Sequence, residues 1–298
     1  MGTGLPTSPA DVAARLGDTG YLCDDALATV TFLALRMQRP LLLEGEPGTG
    51  KTALAEAVAS SLDLPLVRLQ CYEGIDASQA LYDWDFPRQI LHLRALEAAG
   101  SGTDGPVDVQ EAEKSLYDER FLLARPVLTA LQQSPAVLLV DEVDRADDEF
   151  EAFLLEVLSD AAITIPELGR VAADSPPLTV LTSNRTRDVH DALKRRCLYH
   201  WVEHPSFERE VAILRARLPE VTERLAAEVA GATSRMRELD LIKPPGVAES
   251  LDWAGALAAL GARALDPELA AATLGAVLKY REDADRIRNT GMAALLGG

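Results

Sequence analysis

Lys51 stands where a helix should begin, directly after a glycine-rich run, in LLLEGEPGTGKTALAEAVA (Leu41–Ala59). A cation there is unfavourable by about 0.3–1 kcal/mol, because the exposed N–H groups of a first helical turn already carry partial positive charge. The placement therefore calls for an anion. Gly45–Thr52, GEPGTGKT, has the spacing of a phosphate-binding loop: glycine, four residues, glycine, lysine, Ser/Thr. Gly48 and Gly50 let consecutive N–H groups turn inward, and Gly45, Glu46, Pro47 and Thr49 complete the cradle. Lys51 is positioned to reach terminal phosphates and the Thr52 hydroxyl to ligate Mg²⁺, so the expected anion is a nucleoside triphosphate. The alternative is a Gly-rich turn without a ligand.

A second group of residues has matching chemistry. Asp141 and Glu142 close the apolar run AVLLVDE, and ligand crevices in parallel sheets lie outside the carboxyl ends of the strands. There Asp141 would help hold Mg²⁺, and Glu142 would orient and polarise a water for attack on the γ-phosphate. An acidic helix start is the other reading. Asn184 ends the next apolar run, LTVLTSN, where its amide would touch the γ-phosphate or the attacking water; a turn-forming asparagine is the alternative. Arg195 and Arg196 follow, suited to an arginine finger or to a solvated helix end.

The elements needed to position these groups are legible. DDALATVTFLALRMQ has helical spacing, RPLLLEG reads as a strand, KTALAEAVASSL as a helix and PLVRLQC as the next strand. This order builds α/β parallel sheets. Tyr72–Leu96 is too long and aromatic-rich for a simple connection, and GSGTDGPVD reads as a flexible tip. ERFLLARPVLTALQQS is expected to be helix, AVLLVDE strand and DDEFEAFLLEVLSDA an amphipathic helix. ITIPELGRV reads as a hairpin, PLTVLTSN as a strand, RDVHDALKRRC as a short helix, and LYHWVEH as a fifth strand closed by Pro205. Beyond Pro205 only helical periodicity remains, interrupted at KPPG and LDPE, so a second, all-helical domain is expected there.

Bulk properties narrow the function. The 298 residues carry a net charge of −18, with 48% apolar and 26% charged side chains. Acidity on that scale disfavours general nucleic-acid binding, which needs a basic surface to displace phosphate counterions. No apolar stretch is long enough to span a bilayer. The first residues, MGTGLPTSPADVAARLGD, show no basic segment followed by an apolar one, so no secretory signal and a cytoplasmic location are expected. Cys23, Cys71 and Cys197 are scattered and read as buried, reduced thiols.

Taken together, GEPGTGKT, LLVDEVDRAD, LTSNRTRD and ALKRRCLYHW resemble an AAA+ ATPase, and specifically the MoxR family in its CoxD-like subgroup, over nearly the whole chain. The resemblance implies a P-loop αβα core with a five-stranded parallel sheet over residues 1–204, an insertion near 72–105, and a C-terminal all-helical lid over 205–298. It implies ATP and Mg²⁺ as cofactors, with Thr52 and Asp141 at the metal and Lys51, Glu142, Asn184 and Arg196 as catalytic groups. Asn184 is then the sensor, and Arg196, or else Arg195, the finger acting on the neighbouring subunit. A hexameric ring is implied, with a von Willebrand factor A-domain partner and a client metalloenzyme such as molybdenum-containing carbon monoxide dehydrogenase. One departure stands out. Relatives carry a lid arginine after GxSPR, whereas this chain has GVAESLDWAGAL.

Weaker signals stay open at this level. Tyr82, Trp84 and Phe86 in LYDWDFPRQ either grip a client polypeptide or bury an edge of the insertion. Cys197, His200 and His204 superficially suggest a metal, with the two histidines on one face of the fifth strand, but packed or capping roles fit better. The absence of an Asn-Lys-x-Asp motif favours adenine over guanine. Besides an ATP-driven remodelling ring, the motifs admit a nucleotide-dependent binding switch with slow hydrolysis, a nucleic-acid motor at odds with the charge, and a small-molecule kinase for which a water-activating Glu142 is poor equipment.

Overall fold

In a computed structural model of the chain, residues 4–100, 115–292 and 295 are described. Residues 101–108 of the expected flexible tip lie outside them. The chain opens with helices α1 (Pro9–Asp18) and α2 (Asp25–Met37), strand β1 (Leu41–Glu44), helix α3 (Lys51–Leu62) and strand β2 (Leu66–Gln70). There follow α4 (Ala77–Ala80), β3 (Tyr82–Trp84), α5 (Phe86–Gly100), β4 (Leu122–Ala124), α6 (Pro126–Gln132) and β5 (Val137–Asp141). Next come α7 (Asp148–Asp160), β6 (Ala162–Ile165), β7 (Gly169–Ala172), β8 (Leu178–Ser183), α8 (Asp191–Arg196) and β9 (Leu198–Trp201). Helices α9 (Phe207–Arg217), α10 (Glu223–Arg237), α11 (Val247–Ala259), α12 (Pro267–Val277) and α13 (Arg281–Thr290) complete it. No strand follows β9 among the described residues.

Five strands form one sheet in the order β2-β5-β8-β1-β9, the α/β parallel-sheet class expected from the sequence. β2 pairs in parallel with β5, placing Gln70 opposite Asp141, and β5 pairs in parallel with β8. Every residue of β5 is buried, which explains its uninterrupted apolar run: a strand covered on both faces has no polar alternation. β6 and β7 form the expected antiparallel hairpin.

The segment before α6 departs from expectation. Glu119–Ser134 does not form a continuous helix: Glu119–Phe121 is a 3₁₀ turn, Leu122–Ala124 is β4, and helix begins only at Pro126. Proline suits the first helical position but pushes the preceding residue out of the helical region, and Arg125 has φ −91° and ψ 173°. β4 instead pairs antiparallel with β3, Tyr82 opposite Ala124 and Trp84 opposite Leu122.

The chain parts into two compact units, Met1–Phe32 with Leu43–Leu62 and Tyr199–Gly298, and Leu33–Leu42 with Asp63–Leu198. Each has its own apolar core. In the second unit Leu69, Leu128, Leu138, Phe150, Leu154 and Leu181 pack together. In the first, Leu214, Val229, Met236, Trp253, Leu274 and Ile287 do so, and Trp253 donates its indole N–H to Thr273 Oγ1 at 2.7 Å.

The helical core of the first unit also holds a charge. Glu210, 1% exposed, receives both terminal nitrogens of Arg237 at 2.7 Å and the Ser250 hydroxyl at 2.6 Å, tying α9, α10 and α11 together. Removing one partner of such a pair strands a desolvated charge. Arg237→Ala is therefore expected to cost about 3–5 kcal/mol of stability, measured as a fall in the denaturant midpoint of the intact chain.

Candidate functional site

In the first unit, β1 delivers the chain into the glycine loop and α3 leaves it. A side chain at Gly45 would place its Cβ 2.4 Å from the Val202 carbonyl oxygen, so this turn excludes one. Gly48, at φ +79°, is pressed from another direction: its Cβ would lie 2.8 Å from Glu249 Oε2 and 3.0 Å from Gly246 Cα. Lys51 is 5% exposed, and its ammonium donates to the carbonyls of Gly45 at 2.8 Å and Glu46 at 2.7 Å. The loop thus holds the lysine in place through its own carbonyls. The Thr49 hydroxyl donates to Glu46 O at 2.9 Å, Glu46 and Pro47 are exposed, and Thr52 is half-buried in the first turn of α3.

The region lacking the expected lid arginine meets this loop. Val247 N, at the start of α11, donates to Gly48 O at 2.9 Å, and Gly246 N donates to Glu249 Oε2 at 2.9 Å. A Cβ on Gly246 would stand 2.7 Å from Gly48 Cα, so the two backbones touch only because both residues are glycine. Glu249 carries negative charge beside the loop, and Ser250 is occupied with Glu210.

In the second unit the acids occupy the carboxyl end of β5. Asp141 is 3% exposed; its Oδ1 accepts from the Thr182 hydroxyl at 2.5 Å and its Oδ2 from Arg68 Nη2 at 2.5 Å. Thr182 Oγ1 also accepts from Glu142 N at 2.9 Å. Glu142 adopts a left-handed backbone, φ 56° and ψ 49°, which turns the chain from β5 into the 3₁₀ turn Val143–Arg145. Such a conformation costs a non-glycine residue about 1–2 kcal/mol. Its carboxylate accepts from Asn184 Nδ2 at 3.3 Å on Oε1 and from Gln70 Nε2 at 3.1 Å on Oε2, and it forms an ion pair with Arg145, whose Nε lies 2.9 Å from Oε2.

Asn184, Asp141 and Glu142 are thus brought together. Asn184 is held by buried Asp144, which accepts from Asn184 N at 3.3 Å and from Thr186 N at 2.8 Å. Glu151, fully buried, accepts from His190 N at 2.7 Å and pairs with Arg187, anchoring the chain after the sensor loop. Arg196 is not part of this cluster. It is exposed on α8 and bonds Ser159, while Arg195 is likewise exposed.

Arg68, Gln70, Asp144, Arg145 and Thr182 were not singled out from the sequence. Some signal was available: Arg68 and Gln70 share one face of a strand with period two, and Thr182 is a polar residue closing an apolar strand. Which acid each would meet depends on strand register, and register is set by the sheet.

Among the described residues no three His, Cys, Asp or Glu side chains are grouped to hold a metal. The Thr52 hydroxyl in the first unit and the Asp141 carboxylate in the second are each hard oxygen donors of the kind Mg²⁺ takes. Burial pushes the Cys71 and Cys197 thiols up to about 12, with the Asp141 charge adding to the rise at Cys71. Cys23 is half-buried, and all three are free. β9 ends at Trp201, so His204 lies beyond the strand rather than sharing its face with His200; His204 Nε2 meets Glu46 Oε2 at 2.9 Å. The aromatic trio divides. Trp84 is buried edge-on to Tyr82 and Tyr117, with ring centroids 6.3 and 5.2 Å away, whereas Phe86 is 59% exposed. No helix of the described residues is long and apolar enough to cross a membrane.

Comparison with known proteins agrees with this architecture. The chain is 28% identical over 245 residues to gas vesicle ATPase GvpN2 of Halobacterium salinarum, covering 76% of this chain and 66% of that protein. It is 52% identical over 119 residues to midasin of Giardia intestinalis, covering 36% of this chain and 2% of that protein. It is 24% identical over 179 residues to the nuclear valosin-containing protein-like protein of Mus musculus, covering 59% of this chain and 16% of that one. The chain therefore spans a small part of the length of the latter two relatives. Residues 40–197, more than half of the chain, match the model of the AAA domain of the dynein-related subfamily, and the protein belongs to that family.

Proposed function

We propose that the chain is a Mg-ATP-hydrolysing AAA+ protein whose nucleotide cycle remodels or assembles another protein. The observation that carries this reading is the cluster of Asp141, Glu142 and Asn184, organised by one threonine at the carboxyl ends of β5 and β8. The glycine loop and Lys51 supply the phosphate contacts, with Thr52 and Asp141 the groups that would hold Mg²⁺. Mg²⁺, when bound, neutralises charge on the phosphate oxygens. Glu142 orients and polarises the attacking water, and the Asn184 amide holds that water or the γ-phosphate. Arg196, or Arg195, exposed on α8, is available to an adjoining protomer. In this reading residues 1–204 are the core and 205–298 the lid. The likeness to the gas vesicle ATPase GvpN2 supports hydrolysis.

Beyond this, the likeness to MoxR and CoxD proteins favours a cytoplasmic ring, hexameric by analogy, working with a von Willebrand factor A-domain partner on a metalloenzyme client. The net charge of −18 supports a protein partner over nucleic acid. A second reading, a binding switch with slow hydrolysis, is favoured by the two amide donors and the guanidinium already on the Glu142 carboxylate.

Glu142→Gln is expected to lower steady-state Mg-ATP turnover about 100-fold or more while leaving nucleotide binding intact; unchanged turnover would overturn the assignment. Thr182→Val removes both bonds that set the acids, and kcat should fall about tenfold with a smaller change in KM, read from initial rates of phosphate release. Normal client activation by Glu142→Gln with ATP bound would favour the switch.

A further inference from the structure

Glu142 is the residue read above as polarising water, and its carboxylate is already crowded. Oε2 accepts from Gln70 Nε2 at 3.1 Å and pairs with the Arg145 guanidinium, Nε 2.9 Å away, and Oε1 accepts from Asn184 Nδ2 at 3.3 Å. Of these three neighbours only Arg145 is charged, so it alone offsets the carboxylate's charge.

The pairing is built into the local chain. The left-handed backbone of Glu142 starts the 3₁₀ turn Val143–Arg145, closed by Arg145 N donating to Glu142 O at 3.0 Å, so the two side chains return to the same side. Glu142 N is fixed on Thr182 Oγ1 at 2.9 Å, and Asp144 between them is buried and bound to the Asn184–Thr186 backbone. The acid end of the ion pair is therefore rigidly held. The cation is free to leave: the Arg145 side chain is 54% exposed, and a pair so open to solvent is held weakly.

We propose that Arg145 is a positioning residue that restrains Glu142 through their ion pair, balancing its charge until the guanidinium is drawn to another anion. This rests on the reading of Glu142 as the water-polarising group. The restraint differs in kind from the contacts of Gln70 and Asn184, which are neutral and leave the carboxylate its charge. It also differs from the Arg68 contact, which falls on Asp141 and leaves Glu142 untouched. Because Glu142 spends part of its time paired with Arg145, basal turnover is held low, and it responds to an acidic group offered by a partner or an adjoining protomer.

The test compares Mg-ATP turnover of the full chain, with kcat and KM resolved, for wild type, Arg145→Ala, Arg145→Lys, Glu142→Gln and the Arg145→Ala/Glu142→Gln double variant. Binding of a fluorescent nonhydrolysable ATP analogue is measured alongside. Arg145→Ala is expected to raise kcat about threefold to tenfold with KM and analogue affinity unchanged. Arg145→Lys, which keeps the charge, should stay close to wild type, and the double variant should be as inactive as Glu142→Gln. A kcat for Arg145→Ala at or below wild type, in a protein whose turnover is abolished by Glu142→Gln, overturns the restraint and leaves hydrolysis standing. Turnover that survives Glu142→Gln, or that is absent from both wild type and Arg145→Ala, overturns the hydrolytic reading and the restraint with it.

Discussion

One hydroxyl sets the acidic half of the site. Thr182 donates to Asp141 Oδ1 and accepts from Glu142 N, so a single atom at the end of β8 fixes a carboxylate and the backbone of the next residue at the end of β5. The parallel pairing of β5 with β8, and of β5 with β2, brings Thr182 from one side and Arg68 and Gln70 from the other. Without that frame Glu142 would have little reason to adopt a left-handed conformation, since the strain must be compensated by the surrounding bonds. The buried Asp144 extends the same arrangement to Asn184, so the Asn184 amide and the Glu142 carboxylate are positioned by one connected set of bonds.

The glycine loop obeys a different constraint, close approach of backbones. Gly48 and Gly246 are in contact at distances that no Cβ tolerates, and the bond from Val247 N to Gly48 O fastens the start of α11 to the loop. The resemblance to MoxR proteins implied a positive charge from this helix. Here the residue beside Gly48 is Glu249, whose carboxylate caps its own helix by accepting from Gly246 N. The helix start therefore contributes backbone shape rather than a cation, and Lys51 remains the positive charge of the loop.

Much of this was legible because local chemistry dictates it. Glycine spacing and a lysine at a helix start specify a phosphate loop almost independently of context, and a helix did begin at Lys51. The uninterrupted apolar run before Asp141 could only be a strand covered on both faces. The reading failed where proline and pairing compete with periodicity. Glu119–Arg125 has apolar residues compatible with a helix, yet Pro126 bars Arg125 from helical geometry and β3 supplies a pairing partner for Leu122–Ala124. The aromatic trio was ambiguous for a related reason: alternation puts Tyr82 and Trp84 on the same face of β3, and only tertiary packing, Tyr117 among it, decides that Trp84 is buried.

The sequence by itself determined which residue types stand close together: a glycine loop followed by lysine and threonine, an acid pair and an asparagine each closing an apolar run, and two adjacent arginines, all encoded in short contiguous motifs. Only the tertiary structure decided how the acids are occupied. Arg68 and Gln70 lie some seventy residues from Asp141 and Glu142, and Thr182 and Asn184 about forty. Their meeting depends on strand order and register, which are set by burial of whole strand faces rather than by any local spacing, so no motif announces it.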